Sequence, residues 1–166
     1  GLDPATIEVL AREGTIMALK DSGGDSNIFR EYVLRTKDIK GFTVLTGIEF
    51  LVDTAMQMGA SGCVPGIGNV APREYVELYE LCLSNKYAEA RAVQERLIRL
   101  FDICYQGSSK LSGSASALSG FKSALRLLGI IETAQMAPPM GSLTSEEELK
   151  VRDVLIAQGF LENGGV

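Results

Sequence analysis

Apolar positions along this chain follow two alternating periods. Residues 15–20 (TIMALK) and 41–47 (GFTVLTG) are short apolar runs, the second β-branched and bounded by glycines, and both read as strands. The first is predicted to be buried on both faces, as strands of parallel sheets are. Residues 61–64 (SGCV) open a third, very short strand that passes into a Gly/Pro-rich loop. The other segments carry helical spacing. Ile7, Leu10 and Ala11 mark one face after an Asp3-Pro4 start, and Gly14 ends that helix. Ile28, Phe29, Tyr32 and Val33 mark a second helix over 27–36. A third covers 49–60, with Gly59 suited to its C-terminal cap. Helices follow from Pro72 to about Ser84 and over 86–106, 117–129 and 145–159, each apolar at helical spacing. Residues 107–116 read as a polar, flexible connection, and 136–142 as an extended linker stiffened by two prolines.

Strands alternating with helices imply βα units and a parallel sheet. The units repeat at about 25 residues, the cadence of a (β/α)₈ barrel, which needs about 250 residues. Three strands are found, so the expected architecture is α/β: the last three strands of a TIM barrel plus C-terminal helices. The expected division is residues 1–106 for the barrel part and 107–166 for a helical extension.

Composition narrows the chemistry. The chain has 166 residues, enough for one domain or part of a larger one. At 46% hydrophobic and 22% charged residues, it should fold as a soluble globular protein. No apolar stretch approaches the roughly 18 residues of a membrane span, and no signal peptide is recognised, so a cytoplasmic location is expected. A net charge of −5 without a basic cluster argues against nucleic acid or an anionic membrane as partner. Cys63, Cys82 and Cys104 are too widely spaced for a zinc site and odd in number for a disulfide framework, so three reduced, mostly buried thiols are expected. Histidine is absent, which removes Ser-His-Asp and Cys-His catalysis and imidazole acid–base work. No metal or cofactor is expected.

In a barrel, catalytic groups occupy the C-terminal ends of strands. Three loops qualify: Lys20 with DSGGD, Gly47 with Ile48 and Glu49, and Val64 with PGIGN. An ammonium at the end of an apolar strand is expected to be poorly solvated, which favours the neutral amine. A neutral lysine is a nucleophile toward carbonyl substrates. The competing reading is a lysine that snorkels to solvent. Glu49 could bond substrate hydroxyls or simply sit near a helix N-terminus. The GIGN glycines let backbone approach a ligand, or form an ordinary turn. GIGNVA (66–71) also matches a dinucleotide fingerprint. Pro65 interrupts its turn, however, the next helix starts late, and no acidic strand end follows.

With ALKDSGGD at 18–25, TGIE at 46–49 and GASGCVPGIGNVAP at 59–72, the chain resembles the dihydrodipicolinate synthase/N-acetylneuraminate lyase family of Schiff-base-forming class I aldolases. The resemblance spans essentially the whole chain. It places Ala18-Leu19-Lys20-Asp21-Ser22-Gly23-Gly24-Asp25 on the family's sixth-strand segment. Ala18 stands there where glycine is common, and Gly23 where a hydroxyl residue is common. It implies that Lys20 is the Schiff-base lysine and that Ser22, Gly47 and Glu49 are substrate contacts. It puts Val64 where a backbone carbonyl lies near the bound 2-oxo acid, and Pro65 where serine is usual. FKSALRLLGI and PPMGSLTSEE resemble the family's C-terminal helices.

The family's proton-relaying tyrosine and carboxylate-binding Thr/Ser pair belong to earlier strands, and Gly1 is expected at the end of the tyrosine-bearing segment. None of Tyr32, Tyr75, Tyr79, Tyr87 or Tyr105 is placed at a strand end. The resemblance implies a lyase or aldolase acting on pyruvate or a related 2-oxo acid and an aldehyde. The specific alternatives are 4-hydroxy-tetrahydrodipicolinate synthase, which joins pyruvate to aspartate semialdehyde, and a 2-keto-3-deoxy sugar acid aldolase or dehydratase. It also implies a homo-oligomer, a dimer or tetramer. The reading from a different class is a non-catalytic barrel fragment with an idle lysine.

Overall fold

The computed structural model describes residues 1–162, which divide into two compact units. One comprises residues 1–68 and 73–94, the other, among the described residues, 69–72 and 95–162. The first holds a three-stranded parallel sheet in the order β1-β2-β3, with β1 at Ala18–Asp21, β2 at Thr43–Thr46 and β3 at Gly62–Cys63. Helix α1 (Pro4–Arg12) precedes β1, α2 (Ser26–Thr36) joins β1 to β2, and α3 (Val52–Met58) joins β2 to β3. Helix α4 (Pro72–Leu83) follows, then α5 (Tyr87–Leu100), within which the two units divide.

Local chemistry sets these boundaries. Asp3 caps α1 by accepting the Thr6 amide at 2.9 Å, with Pro4 in the first turn. Asp25 caps α2 through the amides of Asn27 and Ile28. Gly59 closes α3 at φ +106°, a conformation that costs glycine little. The core joins Ile7 of α1, Leu19 of β1, Phe29 and Tyr32 of α2, Val44 of β2, and Ala55 and Ala60 around α3.

The expected first strand is corrected in two respects. It begins at Ala18 rather than Thr15, because the amides of Thr15 and Ile16 are drawn back to Leu10 O as the chain leaves α1. It is also buried on one face only. Leu19 packs into the core, whereas Ala18 and Lys20, on the opposite side of the pleat, are exposed.

In the second unit a 3-10 turn (Phe101–Tyr105) precedes α6 (Gly113–Leu127) and α7 (Ser145–Ala157). The 107–116 connection is corrected too: α6 starts at Gly113, capped by Ser112. Ser116 is buried and donates to Cys104 O at 2.7 Å, and Gly120 lies against the carbonyl of Ile103. A serine-rich stretch thus becomes a packed helix by bonding its hydroxyls to neighbouring backbone. Thr144 and Glu147 form a reciprocal capping box at the start of α7. The long helix expected over 86–106 gives way to the 3-10 turn after Leu100. Among the described residues, no helix is long and apolar enough to cross a membrane.

Candidate functional site

The parallel register aligns three strand ends. Lys20 pairs with Leu45 and Asp21 with Thr46, while Thr46 pairs with Cys63. The ladder runs on past the strands, with Gly47 N donating to Asp21 O and Val64 N to Thr46 O, both at 2.7 Å. Alternation along the strands then places Lys20, Ser22, Gly47 and Val64 on one face. Lys20 and Ser22 converge over Gly47. A Cβ built on Gly47 would run into Ser22 Oγ and Lys20 Cε and stand 3.3 Å from Lys20 Nζ. The missing side chain at 47 is what gives the lysine and the hydroxyl their place.

The loop entering α2 is built for the same purpose. Asp21 Oδ1 accepts the Gly23 amide at 3.0 Å, Gly24 takes φ +82°, and Asp25 caps the helix. The turn therefore leaves β1 immediately after Asp21, one residue past Lys20. On the far side of the strand, the Tyr32 hydroxyl donates to Leu2 O at 2.6 Å. Burial, then the charge of Asp21, holds that phenol above its ordinary value.

Glu49 brackets the second and third loops. Its Oε1 accepts the Gly66 amide at 2.5 Å and the Ile67 amide at 3.4 Å, and its Oε2 accepts the Tyr75 hydroxyl at 3.1 Å. Burial raises this carboxyl above the usual carboxylate range, against those hydrogen bonds and the nearby charge of Lys20. Burial, with the charge of Glu49 second, also pushes the Cys63 thiol up to about 11, so it stays protonated.

Two features run against simple expectation. Lys20 is exposed, so the desolvation expected at its strand end is absent among the described residues. The reason is that the helices cover the other face of β1. Both oxygens of Glu49, expected to meet substrate, are bonded within the chain.

The dihydrodipicolinate synthetase family model matches residues 1–158. The chain belongs to that family. Among curated relatives, the 4-hydroxy-tetrahydrodipicolinate synthase of Archaeoglobus fulgidus is 28% identical over 152 residues, covering 92% of this chain and 49% of the relative. The enzyme of the same name from Methanothrix thermoacetophila is 29% identical over 154 residues, covering 93% and 49%. The structure of dihydrodipicolinate synthase from Bacteroides thetaiotaomicron superposes with a TM-score of 0.85 at 30% identity, over 93% of this chain and 50% of that one. The chain thus spans about half the length of the relatives it matches.

Membership in the dihydrodipicolinate synthetase family replaces the dinucleotide reading of GIGNVA. The structure agrees: residues 67–69 form a 3-10 turn, and α4 is followed by another helix rather than a strand. Two residues tied to the site escaped the sequence reading. Tyr75 sits on a helix, yet its hydroxyl reaches Glu49. Gln94 is buried on α5, where its Nε2 donates to Glu49 O at 2.8 Å and its Oε1 accepts from Val52 N at 3.0 Å. The core spacing of Tyr75, Leu78 and Cys82 marks a packed stripe and carries no sign of the contact.

Proposed function

We propose that the protein is a class I, Schiff-base-forming lyase or aldolase acting on pyruvate or a related 2-oxo acid, with Lys20 as nucleophile. The observation carrying this reading is the lysine amine standing over Gly47 at the C-terminal edge of a parallel sheet, beside Ser22 and the Glu49-held loop. The three strands are then the last three of a (β/α)₈ barrel, the arrangement in which strand ends carry the chemistry.

In this mechanism the neutral amine of Lys20 attacks the 2-oxo carbon. The carbinolamine takes up a proton and loses water to give a protonated imine. That imine draws off the electrons left when a proton departs from the adjacent carbon, and the resulting enamine attacks an aldehyde carbonyl. Hydrolysis of the product imine restores the amine, and cleavage is the same sequence reversed. Ser22 contributes a hydroxyl beside the amine. Gly47 provides the floor, the Val64 backbone borders the oxo acid, and Glu49 holds the loop that presents it.

The names of the curated relatives, at 28–29% identity, favour one specific version of this reading: condensation of pyruvate with aspartate semialdehyde. A sugar-acid aldolase or dehydratase uses the same imine. The test is to incubate the protein with pyruvate, reduce with borohydride and locate the adduct by mass. A pyruvate adduct on Lys20, lost in Lys20→Ala, is expected. Absence of an adduct, or an adduct elsewhere that survives Lys20→Ala, would overturn the reading. A panel of aldehydes then separates the versions.

A further inference from the structure

Helix α3 begins without a cap of its own. Leu51 stands at its N-cap position and makes no side-chain bond to the helix. Its first amides are received instead by Gln94, from α5, through Oε1 at 3.0 Å to Val52 N and 3.3 Å to Asp53 N. The same amide donates from Nε2 to Glu49 O at 2.8 Å. Gln94 is only 2% exposed, so these three bonds are made in a dry setting where losing one leaves a backbone group unpaired. Glu49 is therefore gripped twice: by its carbonyl from Gln94, and by its carboxylate from the Gly66 and Ile67 amides and Tyr75. Two residues earlier lies Gly47, the floor under Lys20.

We propose that Gln94 is a positioning residue for this site: it clamps the 47–53 stretch from α5 and so sets where Glu49, its bracketed loop and Gly47 stand relative to Lys20. This rests on reading Lys20 as the imine-forming residue. Gln94 touches no reacting atom and acts through Glu49.

Two substitutions separate positioning from capping. Gln94→Glu keeps an acceptor for the Val52 and Asp53 amides, with a favourable charge at a helix start, but loses the donor to Glu49 O and sets a carboxylate against it. Gln94→Met removes all three bonds without adding charge. Expected results are a lower melting temperature in both variants, because each leaves the Glu49 carbonyl without its buried donor. Borohydride trapping of pyruvate on Lys20 should slow about tenfold or more in both, since small misplacements of reacting groups are costly in rate. The carbon-13 titration of the Glu49 carboxyl should move in Gln94→Met. Trapping at the parent rate in Gln94→Glu overturns the proposal and leaves Gln94 as a helix cap. If the parent itself forms no adduct, the Lys20 reading fails. The Glu49 titration then decides the clamp alone: an unmoved titration in folded Gln94→Met overturns it, and a moved one upholds it.

Discussion

Gly47 lies beneath Lys20, and a methyl group at position 47 would collide with the lysine Cε and with Ser22 Oγ. Both obstacles are side-chain atoms that can swing aside, so Gly47→Ala should fold with a stability loss of about 1 kcal/mol or less. The displaced amine is a different matter. Pyruvate trapping on Lys20 should fall about 100-fold, because the reacting group leaves its productive position. Thermal melts together with trapping rates check both halves.

Gly120→Ala should behave in the opposite way. Its methyl group would meet the backbone carbonyl of Ile103, with the carbonyl carbon at 3.0 Å, and backbone cannot rotate away. A destabilisation of about 3 kcal/mol is expected from overpacking. Urea unfolding of the variant beside Gly47→Ala makes the contrast.

Glu49→Gln should flatten a pH dependence. Burial raises the folded carboxyl above the ordinary 4.5, so ionising it costs the fold. Its contribution to stability is full below the ordinary value and is lost as pH rises through the raised one. Glutamine can still accept from the loop amides and face Tyr75, but it does not titrate. Unfolding free energy measured from pH 4 to 8 should fall with pH more steeply in the parent than in the variant, within about the first two units.

Glu147 carries the reverse sign. Hydrogen bonds from the amides of Thr144 and Ser108 lower its carboxyl to about 2. Its contribution is present above the ordinary 4.5 and is lost as pH falls toward 2. Glu147→Gln should be less stable than the parent at neutral pH and converge with it in acid. Thr144→Ala removes the cap itself, at about 1 kcal/mol. Denaturant unfolding at pH 3 and pH 7 distinguishes the two.

Much of this protein follows from local pattern. The order of strands and helices, the Asp3 cap, the Gly59 stop and the isolated lysine at a strand end depend on residues within a few positions of each other. Periodicity and short spacing record such relations, and the joint spacing of three loops pointed to the dihydrodipicolinate synthetase family. Tertiary structure decided the rest. The bonds that shape the site join Glu49 to Gly66, Tyr75 and Gln94, separated by 17, 26 and 45 positions. No spacing rule encodes such partners, because a buried amide or hydroxyl bonds whatever backbone the fold brings to it. The burial of Ser116 against Cys104 O and the one-sided burial of β1 have the same origin. Which polar groups are satisfied, and which face is covered, is settled only when the elements pack.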